Sequence, residues 1–296
     1  MDYELYHDES KEYGYWHGML LVPVDTKNRL ITYLETARKN YKYYQPISLK
    51  NIRKESGQKF GLVRTWLSIA LQSMMQELKQ KEYISLGRQH FEDFDELIKL
   101  KFILARERDA HQKMVSYPDH TSKIETTFRM FLKGGLHFLF DVEEPVNIVK
   151  IHLDGFKHHK RHFNKQRAID RIFDLRNYCS FNNDENLIDD RTSNHLKENS
   201  QAYEDCQLLQ LTDLLVSGFR VILGYGNNQK QKKAARPLKM IVDSYHQGIA
   251  RMRNSRWNNS FCMSECYLEN NKWHFKTIEY QQIENKNQLS LFDIMK

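Results

Sequence analysis

The segment QLLQLTDLLVSGF, residues 207–219, constrains the fold more than any other part of the chain. If residues 201–223 form a helix, Leu208, Leu211 and Leu215 make one apolar ridge, and further leucines and valines cover most of the other angles. A helix that is apolar nearly all round belongs inside a protein. The rest of the chain must therefore supply packing partners on several sides of this helix.

A narrow polar strip interrupts this apolar helix. Gln210, Asp213 and Ser217 occupy positions i, i+3 and i+7, so their side chains stack along one line. A carboxylate enclosed by leucines has to be ion-paired, hydrogen-bonded or metal-bound, because burying a bare charge is strongly unfavourable. The alternative is an ordinary amphipathic helix whose polar strip faces solvent.

Two further places carry acids next to apolar strands. Asp154 ends the strand-like segment VNIVKIHLD, and Asp8 and Glu9 follow a first strand predicted at 3–7. Both could be plain turns, since Asp-Gly after a strand is a common turn. If Asp8, Asp154 and Asp213 meet instead, their mutual repulsion requires cations. Mg²⁺ or Mn²⁺ accepts oxygen ligands, and two such ions about 3.5–4 Å apart can activate water against a phosphodiester.

Strand and helix patterns alternate along the chain. Strands are predicted at 3–7, 13–22 and 146–154, with a hairpin around 269–271, and helices at 26–39, 58–80, 123–140, 164–177, 201–223 and 238–252. LIKLKFILA, within 97–105, fits either a strand or a helix. We therefore predict one α/β domain over 1–280, with a mixed sheet flanked by helices and a largely helical insertion at about 55–140. Residues 281–296 are predicted to be a flexible tail.

Bulk composition narrows the classes of function. The formal net charge of +7 modestly favours polyanionic partners. The N-terminal segment is acidic and polar, unlike a signal peptide, and no apolar run approaches the ~20 residues of a membrane span, so a cytoplasmic protein is expected. The four cysteines are expected to be buried free thiols. Neither a phosphate-binding glycine loop nor a serine-nucleophile motif appears.

Two basic segments are candidates for contact with a nucleic-acid backbone. FKHHKRHFNKQR follows Asp154 directly and contributes Lys157, Lys160 and Arg161. The second segment, QKQKKAARPLK, contributes three more lysines, which are Lys230, Lys232 and Lys233. The alternative for the second segment is an exposed loop before a helix.

The acidic motifs together resemble a known family. HDES followed by YGYWHGMLLVP, then IVKIHLDG and later LQLTDLLVSG, resemble the pattern of the domain-of-unknown-function 3800 family. The resemblance implies an RNase H-like fold and a metal-dependent nuclease-type site built from Asp8, Asp154 and Asp213. Glu9 and Gln210 match motif positions of the family, and we predict that both contribute to the catalytic site, Glu9 as a ligand or proton acceptor and Gln210 as an orienting residue. Lys11 replaces the usual glycine of the family.

The C-terminal sequence NQLSLFDIMK carries a second resemblance. Gln288, Leu289, Ser290, Leu291 and Phe292 look like the pentapeptide by which many bacterial DNA polymerases and repair proteins dock on the sliding clamp. A polar linker with a few apolar anchors is suited to folding into a groove on a partner. The alternative is a segment that packs on its own domain.

These features predict metal-dependent hydrolysis of nucleic acid, with DNA favoured over RNA, by a protein recruited through the bacterial sliding clamp. The alternatives are a non-catalytic adaptor that binds clamp and nucleic acid, or a regulatory subunit of a mobile-element or defence system.

Overall fold

The computed structural model describes residues 1–75, 98–108, 120–140, 146–154, 170, 179–181, 188–191, 201–252, 257–270 and 272–281. The strands are β1 (Asp2–Ser10), β2 (Tyr15–Pro23), β3 (Lys101–Glu107), β4 (Val146–Asp154), β5 (Cys179–Phe181), β6 (Ile188–Arg191), β7 (Phe261–Glu269) and β8 (Lys272–Lys276). The helices are α1 (Lys27–Tyr41), α2 (Gln58–Ser73), α3 (His120–Leu139), α4 (Gln201–Ile222), α5 (Gln229–Ala235) and α6 (Lys239–His246).

The strands form one mixed sheet in the order β5-β4-β1-β2-β3-β7-β8, with β6 also paired to β4. β1, β2 and β3 are successively antiparallel, whereas β4 is parallel to β1 and β7 is parallel to β3. Helices flank the sheet on both faces, which confirms the predicted α/β class. The predicted helix at 164–177 lies almost entirely outside the described residues.

The sheet separates two apolar cores. On one face, helices α1, α2, α4, α5 and α6 pack together over residues such as Trp16 and Phe102. On the other face, α3 packs over residues such as Leu5 and Ile151. Side chains alternate between the faces of a strand, so β1 directs Tyr6 to the first core and Leu5 to the second.

The β1–β2 hairpin is longer than predicted. Pairing continues to Ser10 opposite Trp16, and the chain reverses at Tyr13 and Gly14, which have φ of 58° and 112°. The left-handed conformation suits Gly14 and allows a short turn. Because the pairing continues this far, the acids of LYHDES lie inside β1 rather than after its end.

β3 lies within the range 55–140, where we predicted a largely helical insertion. It pairs with β2 on one side and β7 on the other, and six of its seven residues are buried. A strand buried on both faces loses the polar alternation by which strands are recognised, which explains the ambiguity of LIKLKFILA. Helix α2 in the same range packs in the first core. Together with β3, α2 therefore belongs to the main body of the fold.

Helix α4 is the centre of the first core. From 205 to 221 every residue is buried except Asp213, which is partly buried. The expectation of an enclosed helix is confirmed.

Among the described residues, no helix is both long and apolar enough to cross a membrane. All four cysteines are buried and free, as expected.

Candidate functional site

Three aspartates from separate elements converge on the α4 face of the sheet. β1 and β4 run parallel with His7 opposite Leu153, and continuing this register by one residue brings Asp8 beside Asp154. Asp213 of α4 is close enough to both carboxylates to shift the pKa of Asp8 together with Asp154. We call Asp8, Asp154 and Asp213 the aspartate cluster.

The spacing of residues along β1 and α4 explains how the helix reaches the strand. Asp205 near the start of α4 accepts a hydrogen bond from Tyr6 at 3.0 Å, and Asp213 lies near Asp8. Eight helical residues rise about 12 Å. Four strand residues, from Glu4 to Asp8, extend about 13 Å. The helix and the strand therefore run in the same direction with matched lengths.

The Asp8 carboxyl is held in an unfavourable environment for its charge. Burial raises the pKa of Asp8 well above its usual value, and the carboxylates of Asp213 and Asp154 raise it further. The side chain is only 8 % exposed. Like charges that face each other in a buried site favour protonation or a bound cation.

Asp213 is similarly affected, but it has neighbours that favour its ionised form. Burial raises the pKa of Asp213 and the Asp154 charge adds to this effect. A hydrogen bond from Ser48 and the positive charges of Lys50 and Arg220 oppose the rise without cancelling it. The cluster therefore has a basic and hydrogen-bonding side next to its acidic centre.

Glu9 belongs to the other face of β1, because it alternates with Asp8. Tyr15 donates a hydrogen bond to its carboxylate. Burial raises the pKa of Glu9, and the nearby charge of Asp154 also raises it, whereas Tyr15 and Lys11 act in the opposite direction. Glu9 thus lies within electrostatic reach of the aspartate cluster.

The polar strip of α4 does not act as a unit. The side-chain oxygen of Gln210 accepts hydrogen bonds from Arg38 Nη2 at 2.9 Å and from the Ile47 backbone N–H at 3.1 Å. Ser217 donates to the backbone oxygen of Asp213 at 2.7 Å. The Gln210 hydrogen bonds therefore hold α4 against α1 and the loop that follows α1, whereas the Ser217 hydrogen bond stays within α4.

The predicted nucleic-acid contacts are only partly within the described residues. Lys230 donates to the backbone oxygen of Arg53 at 2.9 Å, and Lys233 forms an ion pair with Glu55. Lys232 also lies on α5. Three predicted basic contacts, Lys157, Lys160 and Arg161, lie outside the described residues, as does the predicted clamp-binding segment 288–292.

Two basic residues near the aspartate cluster were missed in the sequence. Lys50 is exposed and lies 3.5 Å from Glu12, and Arg220 is buried with an ion pair to the same glutamate. Both positive charges act on Asp213. Arg220 is seven residues after Asp213 on α4, a spacing that places the two side chains on the same face and was a usable signal.

A second polar group, also missed, lies on the same elements. Glu4, His152 and Asp205 each offer one ligand atom, and these atoms lie within 4.8 Å of one another. Lys27 bridges the two carboxylates at 2.8 and 3.0 Å. The sequence could have indicated this group, because Glu4 lies four residues before Asp8 and His152 two residues before Asp154, so each shares a strand face with the aspartate that follows it.

The carboxylates of the aspartate cluster are suitable ligands for Mg²⁺ or Mn²⁺, which prefer oxygen donors. The Glu4–His152–Asp205 group adds a nitrogen donor and suits a different range of ions. No protein family, curated protein or solved structure matched this chain in comparisons of sequence and structure.

Proposed function

We propose that the aspartate cluster holds Mg²⁺ or Mn²⁺ and that the protein hydrolyses phosphodiester bonds in nucleic acid, DNA rather than RNA. The observation that carries the proposal is the mutual repulsion of Asp8, Asp154 and Asp213, which three separate elements direct to one place. A fold keeps such an unfavourable arrangement most readily where cations use it.

Bound ions, two in this proposal, would neutralise the carboxylates and supply activated water for attack on phosphorus. The chain's own part is to hold and orient. Ser48 fixes the Asp213 carboxylate through a hydrogen bond. Lys50 and Arg220 lie on the same side and would attract the phosphate oxygens of the substrate. Glu9, on the other face of β1 but within electrostatic reach of Asp154, is proposed to assist as a proton acceptor and not as a metal ligand.

The proposal includes an RNase H-like fold and kinship with the domain-of-unknown-function 3800 family. It draws on the strand order β3-β2-β1-β4, with three antiparallel strands and then a parallel one, together with the motif resemblance. It also includes a cytoplasmic location, with the basic residues of α5 and of 156–167 as secondary contacts for the nucleic-acid backbone.

A cleavage assay tests the catalytic proposal. The purified protein is incubated with single-stranded DNA, duplex DNA and a DNA–RNA hybrid in the presence of Mn²⁺, and Asp154→Asn serves as the active-site variant. We expect cleavage that requires Mn²⁺ or Mg²⁺ and is lost in the variant. Absence of cleavage on all three substrates, or equal cleavage by the variant, would reject a nuclease. Binding without cleavage would then favour the adaptor alternative.

Recruitment by the sliding clamp is a separable part of the proposal. It rests on the sequence of 288–292, and a bacterial clamp is the probe. We expect Leu291→Ala and Phe292→Ala to abolish binding in a pull-down, with Asn287→Ala as a control that retains it. Binding that is unchanged in both apolar variants would remove the clamp from the proposal and leave the catalytic part intact.

A further inference from the structure

The turn between β1 and β2 presents an aromatic side chain at the end of the sheet. Tyr13 is 53 % exposed, and its φ of 58° lies in the left-handed region. That region is uncommon for residues other than glycine, asparagine and aspartate, so a tyrosine there carries backbone strain. Strained residues persist where surrounding contacts hold them, and they concentrate at functional sites. Tyr13 is therefore a candidate for a binding role.

Arg106 of β3 holds this turn in place. Its Nε and Nη2 atoms donate to the backbone oxygen of Tyr13 at 3.1 and 3.0 Å. The same guanidinium donates to the Tyr225 hydroxyl at 3.0 Å and forms an ion pair with Glu265 of β7. The turn is thus fixed to two further strands of the sheet. A ring presented on a fixed backbone loses little conformational freedom when a ligand binds to it.

Arg220 of α4 lies over the Tyr13 ring, with its guanidinium carbon 5.8 Å from the ring centroid. Arg220 is buried and forms an ion pair with Glu12, the residue before Tyr13. Its positive charge also acts on Asp213. One residue therefore contacts the exposed ring and influences the aspartate cluster, so the ring and the cluster belong to one continuous surface.

The distance from the aspartate cluster to the Tyr13 ring suits a nucleotide chain. Asp8 pairs with Gly18, and five residues of β2 and the turn separate Gly18 from Tyr13. These residues extend at most about 17 Å. Nucleotides spaced by 3.4 Å along a strand would cover that distance in about five steps. A strand with one phosphate at the cluster therefore reaches the turn.

β7 carries a second aromatic ring near this end of the sheet. Tyr267 lies two residues after Glu265, so both side chains lie on the face that carries Arg106. Arg108 and Lys276 lie over the Tyr267 ring, at 5.8 and 5.6 Å from its centroid. Both of these cations are exposed to solvent. Aromatic rings and cations thus continue along the end of the sheet beyond the turn.

From this arrangement we infer that the end of the sheet beside the aspartate cluster binds single-stranded nucleic acid. A base stacks on Tyr13, and Lys50, Arg108 and Lys276 lie along the phosphate backbone. The inference rests on the proposed function for its choice of nucleic acid, and it specifies that the strand is unpaired. Bases in a duplex are already stacked and paired, and they offer no free face unless they are flipped out.

Fluorescence anisotropy of the full-length protein tests the inference, with Asp154→Asn as the background so that binding is measured without cleavage. The probes are a labelled oligothymidine strand and a labelled duplex of the same length, with Mg²⁺ present. We expect Tyr13→Asn to weaken binding of the single strand about tenfold and to leave duplex binding unchanged. Asparagine accepts the left-handed conformation, so the turn is retained. Tyr13→Trp should preserve single-strand binding.

The salt dependence separates stacking from charge. Stacking releases no counterions, so Tyr13→Asn should leave the slope of log K against log salt unchanged, whereas Arg108→Ala should reduce it by about 0.7. Phe275→Ala is the matched control for loss of an aromatic ring. Phe275 is also 53 % exposed, but it shares a strand face with Trp273, which packs in the second core. We expect this control to bind the single strand as before.

Single-strand affinity that is unchanged in Tyr13→Asn, or reduced equally in Phe275→Ala, would overturn the inference. So would an equal loss of duplex binding, or no binding of the single strand when Tyr13 is intact. These outcomes are separate from catalysis. A protein that binds as expected but does not cleave would keep this surface and lose the nuclease, and one that cleaves but ignores the change at Tyr13 would do the reverse.

Discussion

Gly18 lies directly opposite Asp8 in the β1–β2 hairpin, and a Cβ atom at Gly18 would lie 2.0 Å from Val216 Cγ2. The absence of a side chain thus lets α4 lie against the sheet three residues beyond Asp213. We expect Gly18→Ala to displace the helix and to lower the free energy of unfolding by about 1–3 kcal/mol. Chemical denaturation measures the loss, and the cleavage assay measures the effect on activity.

The matched control for Gly18 is Gly134 in α3, where an added Cβ atom would have no neighbour within 4 Å. Gly134→Ala should leave activity unchanged and stabilise the helix by up to about 1 kcal/mol. Its neighbour Gly135 differs, since an added Cβ atom would lie 2.3 Å from Ile103 Cδ1. If Gly18→Ala proved as harmless as Gly134→Ala, the close approach of α4 would not be needed.

The pH dependence of stability should reveal the charge of Asp8. Burial, with Asp213 and Asp154, raises the pKa of Asp8 in the folded state above the ordinary value of 3.8. The folded state then binds more protons than the unfolded state, so stability falls as the pH rises from the ordinary value through the raised pKa. Asp8→Asn should remove this decline and make the metal-free protein more stable at neutral pH.

Denaturation across pH, with and without Mn²⁺, checks the expectation for Asp8. Mn²⁺ should stabilise the original protein at neutral pH and have less effect on Asp8→Asn. Asp25→Asn changes the same charge on an exposed turn and should leave the pH profile nearly unchanged. If the free energy of unfolding depended on pH in the same way for Asp8→Asn and the original protein, the repulsion of Asp8 by Asp154 and Asp213 would be contradicted.

Gln210 is expected to act through stability. Gln210→Met removes the acceptor for Arg38 and for the Ile47 N–H, both of which are buried. An unsatisfied buried donor costs about 1–3 kcal/mol, so we expect a loss of that size with unchanged kcat per folded molecule. Gln72→Met, at a partly buried position of α2, is the control. Lost kcat with unchanged stability would instead support the catalytic role predicted from the sequence.

Lys50 should contribute to substrate binding through charge. Its side chain is 49 % exposed and its charge acts on Asp213. Lys50→Ala should weaken DNA binding and reduce the slope of log K against log salt by about 1. Fluorescence anisotropy in the Asp154→Asn background separates binding from cleavage. Lys239→Ala is the control, since Lys239 is 57 % exposed and pairs with Asp243 on α6. If both variants weakened DNA binding equally, Lys50 would have no specific role next to the aspartate cluster.

Local pattern predicted the elements that carry the aspartate cluster. The strand at 146–154 was predicted with its observed bounds, and the helix at 201–223 differs by one residue. The isolated carboxylate in an apolar helix predicted that Asp213 has an unusual environment, and its pKa is raised. These features depend on periodicity over a few turns or residues, which a single sequence retains.

Contacts between distant residues could not be predicted in this way. Gln210 meets Arg38 across 172 positions of sequence, and no periodicity along α4 indicates which residue satisfies its side chain. The Glu4–His152–Asp205 group likewise exists only once β1, β4 and α4 are in register. β3 was ambiguous because both of its faces are buried, so its composition alone did not distinguish a strand from a helix.

The segment from Glu4 to Asp8 on β1 and the segment from Asp205 to Asp213 on α4 have nearly the same length. The number of residues in each segment is therefore constrained. One residue inserted between Asp205 and Asp213 would rotate one carboxylate by about 100° around the helix relative to the other. One residue inserted between Glu4 and Asp8 would send one acid to the opposite face of the sheet. A single insertion or deletion in either segment would therefore misalign the aspartate cluster relative to the Glu4–His152–Asp205 group.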